Sequence, residues 1–260
     1  MIIQCIDLKK QGVFLHKFEL NQEYLNFKNF LLNISDNFSA NDSTIHKARN
    51  ELKIILHDNF SSIVKSFKIP HLLNRIIYSF FRDSKAKKSY DYSLILKDFA
   101  PQPIGYIEFY NYGLLYDSYF ISEEFKYGFT IREPLLDEDF EDREEVFRAF
   151  SRFTLALHDN HIFHKDYSPG NILIKKEQDE YIFKVVDVNR MGFFELSQKQ
   201  RAQNFSKLWA HDYILEIMAD EYAKHHICDI NFKEDVLYYS NQNKKIKNFK
   251  KRLKGQEVND

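Results

Sequence analysis

The chain has 260 residues, enough for one large domain or for two lobes that share a cleft. Its charge is almost balanced, with 37 Lys and Arg against 38 Asp and Glu, so the whole chain gives no reason to expect a nucleic-acid partner. Two cysteines without a metal-binding or disulfide pattern favour a reduced, cytoplasmic compartment. The start of the chain lacks the pattern of a signal peptide, and no bilayer-spanning stretch is expected.

The first 60 residues are predicted to form short strands and turns. Residues 33–43 are polar and turn-prone, and residues 51–56 alternate as a strand. A hairpin turn is expected at His57-Asp58-Asn59, before the next strand. Apolar-rich segments lie at residues 14–20 and 24–32.

A strand at residues 62–67 carries Lys65 and is expected to end at Pro70. Residues 72–81 form an apolar-rich helical stretch, and Asp83-Ser84 is a candidate N-cap for a second helix that runs to about Lys97. The basic side chains at the start of the second helix and just before it form a patch that is either a solvated face or a surface for an anionic substrate or membrane. They are Arg82, Lys85, Lys87 and Lys88.

Residues 104–110 and 114–122 are predicted strands joined by a turn at residues 111–113. We place the boundary between two lobes after this pair. The N-lobe is residues 1–121, a five-stranded sheet plus helix, and the C-lobe is residues 122–260. An acidic run opens the first long helix of the C-lobe, whose apolar face belongs to the core.

The most informative segment begins at His164 and reads HKDYSPGNILI, then a polar turn, then YIFKVVDVN. It contains Asp166, an asparagine five residues later, Asn171, and an apolar run that ends in a second carboxylate, Asp187. This pattern is typical of the phosphoryl-transfer centre of protein kinases. We therefore predict an α+β, two-lobed protein-kinase-like fold, with a β-rich N-lobe and a mainly helical C-lobe.

Local turns explain how these polar residues meet. Pro169-Gly170 forms a turn that lets Asp166 and Asn171 face one cavity, and a hairpin turn at residues 175–180 brings Asp187 back beside Asn171. Mg²⁺ prefers oxygen ligands and takes one or two carboxylates together with phosphate and water, so Asn171 and Asp187 are the predicted metal ligands. The alternative is a loop whose polar side chains only satisfy backbone groups.

In kinases a strand lysine contacts the nucleotide phosphates and a helix acid holds that lysine. Lys65 follows two β-branched residues and is the candidate lysine, although a strand lysine that points to water is the alternative. Asp91 is the candidate acid, because it is the only carboxylate within the second helix before its end. Backbone groups of Ser122, Glu123 and Glu124 are expected to bind the adenine of ATP.

Three features depart from a protein kinase. The chain has no Gly-x-Gly loop, so residues 46–50 would have to cover the nucleotide. The segment after Asp187 lacks Phe-Gly and Ala-Pro-Glu, which argues against a peptide-docking kinase, and residues 198–230 instead predict two or three amphipathic helices. The tail at residues 244–254 is a basic amphipathic helix, either solvated or lying on an anionic membrane.

Four segments together resemble the lipopolysaccharide kinase (Kdo/WaaP) family, over roughly residues 45–215. They are IVKSF at residues 63–67, DSKAKKSY at 83–90, HKDYSPGN at 164–171 and VDVNRM at 186–191. The resemblance implies a kinase that phosphorylates inner-core sugars of lipid A-linked glycolipids. It also implies use of cytoplasmic ATP, with peripheral contact at the cytoplasmic face of the inner membrane.

Carried over by position, the resemblance implies that Asp166 is the catalytic base and that Lys65 contacts phosphate. His164, which opens the same motif, is also a candidate catalytic residue, as are Lys65 and Asp91. The resemblance implies Asn171 and Asp187 as the ligands of the Mg²⁺ cofactor. The guanidinium fork of Arg190 suits a phosphate or carboxylate, so Arg190 is the candidate residue for holding such a group of the acceptor.

Three alternatives stay open. An aminoglycoside-like small-molecule phosphotransferase shares the His-x-Asp-x4-Asn loop, and an acidic acceptor cleft would favour it, whereas a basic one would favour anionic core sugars. A pseudokinase would bind nucleotide without turnover, and an adaptor at the membrane surface would use the basic tail and survive the loss of Asp166.

Overall fold

The computed structural model describes residues 3–7, 14–47, 50–69, 71–227 and 230–256. Pro70 and the centre of the loop predicted to cover the nucleotide, residues 48–49, lie outside them. The chain divides into two compact units, Met1–Phe125 and Lys126–Asp260.

A seven-stranded antiparallel sheet forms the first unit in the described residues, two strands more than the five predicted. Its order is β1-β2-β6-β7-β5-β4-β3. The turns at Asp58-Asn59 and Tyr112-Gly113 have positive φ at both residues, the mirror-image turn that suits the twist of a hairpin. The strands are β1 (Ile3–Asp7), β2 (Phe14–Leu20), β3 (Thr44–Lys47), β4 (Asn50–His57), β5 (Phe60–Phe67), β6 (Pro103–Asn111) and β7 (Leu114–Glu123).

One segment differs from its prediction as strands and turns. A 3₁₀ helix at Gln22–Phe27 leads into α1 (Lys28–Leu32) and α2 (Ile34–Ala40). The reason is the spacing of its apolar residues, which recur every three or four positions, the period of a helix. These side chains are buried in the core on one face of the sheet: Phe27, Phe30, Leu31, Ile34 and Phe38.

Two further helices follow β5 and match their predicted positions, α3 (Leu72–Phe80) and α4 (Lys85–Leu96). The predicted N-cap is confirmed, because Ser84 Oγ accepts a hydrogen bond from Lys87 N over 3.0 Å. Helix α4 buries Ala86 and Tyr90 against strand residues Phe67 and Tyr106, on the opposite face of the sheet from the α1–α2 core.

The second unit is mainly helical. Helix α6 packs against α8, where Glu221 accepts hydrogen bonds from Arg148 and Arg152. Of the two or three amphipathic helices predicted for residues 198–230, the structure has two, and a further helix includes most of the basic tail. The helices are α5 (Arg132–Leu136), α6 (Arg143–Asp159), α7 (Gln198–Phe205), α8 (Asp212–His225) and α9 (Phe232–Arg252).

Two small antiparallel sheets complete this unit, in the orders β11-β10-β8 and β12-β9. Their strands are β8 (Phe129–Thr130), β9 (Ile162–His164), β10 (Ile172–Glu177), β11 (Glu180–Val185) and β12 (Met191–Phe193). Across the described ranges, no helix has the length and apolar character needed to cross a bilayer. The first unit is β-rich and the second mainly helical, which confirms the predicted α+β, kinase-like class.

Candidate active site

The hairpin β10–β11 links Asn171 to Asp187, as predicted. Ile172 pairs with Val185, and Val186 N donates to Asn171 O over 2.9 Å. The turn is shorter than the predicted 175–180, because both strands continue to its tip and leave only two residues between them. Asp187 follows directly from the strand that is bonded to Asn171.

The Asp166 loop is held closed by the asparagine itself. Asn171 Nδ2 donates to Asp166 O over 2.9 Å, and Asn171 N donates to Ser168 O over 2.9 Å. Gly170 lies against the Arg132 guanidinium, so that an added Cβ would lie 2.9 Å from Arg132 Nη2 and would displace the end of that side chain. The loop therefore has one side chain, Asn171, bonded across its base.

This donor set is chemically suited to a magnesium ion. Because Asn171 Nδ2 is engaged with Asp166 O, the carbonyl oxygen Oδ1 is the atom of that side chain left to coordinate a cation. Asp187 adds a carboxylate, which accepts a hydrogen bond from Asn189 Nδ2 over 2.7 Å. The backbone of Asp187 is left-handed, with φ 57°. One amide oxygen and one carboxylate are a donor set that Mg²⁺ takes when phosphate and water complete its shell.

His164 is a positioning residue, which corrects its prediction as a catalytic one. Its side chain is buried, and burial lowers the pKa of the imidazole, so the ring is neutral. Nδ1 accepts from Asp166 N over 3.1 Å, which leaves Nε2 to donate to Val186 O over 3.1 Å. One ring thus joins the Asp166 loop to the strand end before Asp187, with no surface left for a substrate.

A buried network that the sequence analysis missed supports this histidine. Asn204 Nδ2 donates to His164 O over 3.0 Å, and His158 Nε2 donates to Asn204 Oδ1 over 3.0 Å. His158 Nδ1 then accepts from the Tyr222 hydroxyl over 2.9 Å, and that oxygen accepts from Arg201 over 2.8 Å. In the sequence, the sign of this network is that polar residues occupy positions on the core-facing sides of the helices, among apolar ones.

Arg190 lies beside Asp166. Met191 pairs with His164 in the β9–β12 ladder, and Lys165 N donates to Arg190 O over 3.1 Å. This register brings Arg190 Nη1 within 3.4 Å of Asp166 Oδ2, with both side chains partly exposed. The guanidinium predicted to hold an acceptor is therefore a neighbour of the predicted base.

Lysines of α9 add positive charge on this side of the unit. Lys247 Nζ and Lys251 Nζ lie 5.2 and 5.5 Å from the centre of the Trp209 ring. Desolvation lowers the pKa of Lys247, and repulsion from Lys207 lowers it further, while the charge of Asp166 raises it. Two cationic side chains, Arg190 and Lys247, thus interact electrostatically with the carboxylate of Asp166.

In the first unit, Lys65 lies on the same face of the sheet as Phe67, with Nζ 5.3 Å from that ring. Asp91, predicted to hold Lys65, pairs with Lys87 over 2.5 Å. The reason is helical spacing. Lys87 lies four residues before Asp91 on α4, so the two side chains are neighbours on the helix surface. The acid is therefore engaged on its own helix.

The predicted adenine contacts lie at the end of strand β7. This strand continues to Glu123, whose N–H donates to Gln102 O over 2.9 Å. Glu124 N donates to Ser61 O over 3.3 Å, and the Glu123 carboxylate accepts from the Tyr24 hydroxyl over 2.6 Å. Two of the predicted N–H groups are thus bonded within the unit, and adenine binding by backbone groups of Ser122, Glu123 and Glu124 stays a prediction.

The antiparallel sheet with its strand lysine and the helical unit with its His-x-Asp loop and returning hairpin define a protein-kinase-like fold. The chain is similar in structure to WaaP, solved in complex with acyl carrier protein. The TM-score is 0.59 at 12% identity, over 88% of this chain and 98% of that one. No family model matches the sequence, and no curated protein matches it. At this identity the likeness concerns the fold.

Proposed function

We propose that the protein is an ATP-dependent kinase that phosphorylates a sugar hydroxyl of the lipopolysaccharide inner core, Kdo or heptose. The observation that carries this proposal is that Asn171 makes two hydrogen bonds, one to each of the segments that hold the candidate site residues. Its side chain bonds to Asp166 O, and its main-chain oxygen accepts from the residue before Asp187. The candidate base, Asp166, and the candidate metal ligands, Asn171 and Asp187, thus lie on one hydrogen-bonded loop and hairpin.

Each residue has a defined task in this proposal. Asp166 orients the acceptor hydroxyl and takes its proton as the oxygen attacks the γ-phosphorus, and Lys65 binds the phosphates. Asn171 Oδ1 and Asp187 hold Mg²⁺, which neutralises charge on the triphosphate when bound. His164 and Asn204 keep the loop in place, so catalysis depends on positioning.

The charge beside Asp166 favours an anionic acceptor. Arg190 lies 3.4 Å from the carboxylate, and the charge of Asp166 opposes the lowering of the pKa of Lys247. A cationic aminoglycoside would be repelled by these groups, whereas the carboxylates and phosphates of core sugars would be attracted. In the WaaP structure the partner is acyl carrier protein, which nothing in this sequence predicts.

The second candidate is a pseudokinase that binds nucleotide without transfer. It is favoured by the sequence, which has no Gly-x-Gly loop of the kind that covers the nucleotide in a protein kinase. A measurement of phosphoryl transfer distinguishes the two functions, because only the kinase transfers phosphate to an acceptor.

The test is transfer of labelled phosphate from ATP to purified Kdo-lipid A or to an aminoglycoside. We expect transfer to the former, and a loss of about 10²- to 10⁴-fold in Asp166→Ala and in Asp187→Ala. Asp179→Ala, at the exposed hairpin tip, is the matched control and should retain activity.

Transfer by Asp166→Ala at the wild-type rate would remove the base assignment. Saturable ATP binding without transfer to either acceptor would favour the pseudokinase.

A further inference from the structure

Helix α3 is attached to its sheet through its polar side. Arg75 Nε donates to Leu115 O over 2.8 Å, and Leu115 N donates to Ser79 Oγ over 2.8 Å. Ser79 Oγ in turn donates to Arg75 O over 2.6 Å. A surface helix normally turns its apolar stripe to the core and its polar residues to water, so this orientation is reversed.

The apolar side of the same helix faces outward. None of its residues is buried, and Leu73 and Phe80 expose 76% and 66% of their surface. Single exposed apolar residues are ordinary, but a continuous group of large ones marks an interaction surface. We call this group the α3 apolar face; its members are Leu72, Leu73, Ile76, Ile77, Phe80 and Phe81.

The border of this face is positively charged. Exposed Lys68 precedes α3 and exposed Arg82 follows it. Between residues 68 and 90 the sequence has six Lys or Arg and one acid, Asp83, whose carboxylate lies 3.8 Å from Lys87. A covering partner should therefore be apolar at its centre and negative around it.

We infer that the α3 apolar face docks on an anionic lipid bilayer. An amphipathic helix with a basic border lies in the interface of such a bilayer, with its apolar side among the acyl chains and its cations near the headgroups. A second copy of the chain fits less well, because a two-fold interface would place Lys68 and Arg82 near their own counterparts. The inference does not depend on the proposed function.

Vesicle co-sedimentation tests it with the full chain. We expect the wild type to bind phosphatidylethanolamine vesicles that contain phosphatidylglycerol. The double variant Leu73→Ser/Phe80→Ser should lose at least about tenfold in partitioning, because two apolar anchors are removed. The matched control is Leu25→Ser/Leu136→Ser, at two leucines elsewhere that expose 65% and 77%, and it should bind like the wild type.

A second variant separates charge from apolar contact. Lys68→Gln/Arg82→Gln should reduce binding to phosphatidylglycerol vesicles by at least about fivefold, and the difference should shrink in high salt. Equal binding by the Leu73→Ser/Phe80→Ser variant and the wild type would overturn the inference, as would a wild type that does not bind these vesicles. A vesicle-independent dimer that this variant dissociates, seen by light scattering, would overturn it in favour of a subunit interface.

Discussion

Asn204 Nδ2 donates to the main-chain oxygen of His164 over 3.0 Å, so a residue of α7 fixes the strand that begins the Asp166 loop. The same Asn204 accepts from His158 of α6 through its other side-chain atom. Both of its polar functions are used, and the group is buried. The position of the loop thus depends on α6, which directly precedes it, and on α7, which lies far from it in sequence.

We expect Asn204→Asp to lower kcat about tenfold and to leave the KM for ATP nearly unchanged, because the donor to His164 O is lost while the nucleotide ligands remain. Single-substrate kinetics measure this split. Asn160→Asp, at an exposed asparagine at the end of α6, is the control and should not alter kcat. Equal effects on kcat and on thermal stability at both positions would contradict a positioning role.

The kinase pattern pairs Lys65 with Asp91. Because Asp91 pairs with Lys87, we expect substitutions of Lys65 and of Asp91 to affect phosphoryl transfer differently. Lys65→Met should reduce transfer by orders of magnitude, because the proposed phosphate contact is lost. Asp91→Asn should leave transfer within about twofold and cost at most about 1 kcal/mol of stability, the usual range for a partly exposed pair. If Asp91→Asn abolishes transfer as completely as Lys65→Met, the clamp between them is restored as the better explanation.

The cations beside Asp166 should determine acceptor binding. Arg190→Gln and Lys247→Gln are each expected to raise the KM for an anionic acceptor about five- to tenfold, with little effect on the KM for ATP. Lys245→Gln, at an exposed position on the same helix, should change neither constant. An unchanged acceptor KM in both site variants would remove these residues from the acceptor site.

The buried His158 predicts a pH dependence of folding. Burial lowers its pKa from 6.5 to about 4, so the unfolded chain binds a proton at a pH where the folded chain does not. Unfolding free energy should therefore be greatest above about pH 6.5 and fall by up to about 3 kcal/mol as the pH drops towards 4. His164 contributes in the same direction, since its pKa is also lowered.

Urea unfolding at a series of pH values measures this slope. His158→Gln removes the titrating group and should reduce the slope, although it also lowers stability at neutral pH because the network is disturbed. An identical slope in the variant and the wild type would exclude His158 as the source.

Local sequence determined much of this protein. The spacing of Asp166, Asn171 and Asp187, the Ser84 N-cap and the turn at Asp58-Asn59 depend on contacts between residues close in the chain. A pattern of residue types is enough to predict such contacts. The helices at residues 22–40 also follow from local sequence, because their apolar residues recur at the helical period, although the turn-prone polar residues at 33–43 favour a loop.

Tertiary structure alone decided the rest. The partner of Asp91, the neutral state of His164 and the outward apolar side of α3 depend on which distant atoms approach and how far water is excluded. The support of the Asp166 loop by His158 and Asn204 joins two residues that are 46 positions apart in sequence. No local pattern encodes these relationships, because each depends on the energetic balance among groups that meet only after the chain has folded.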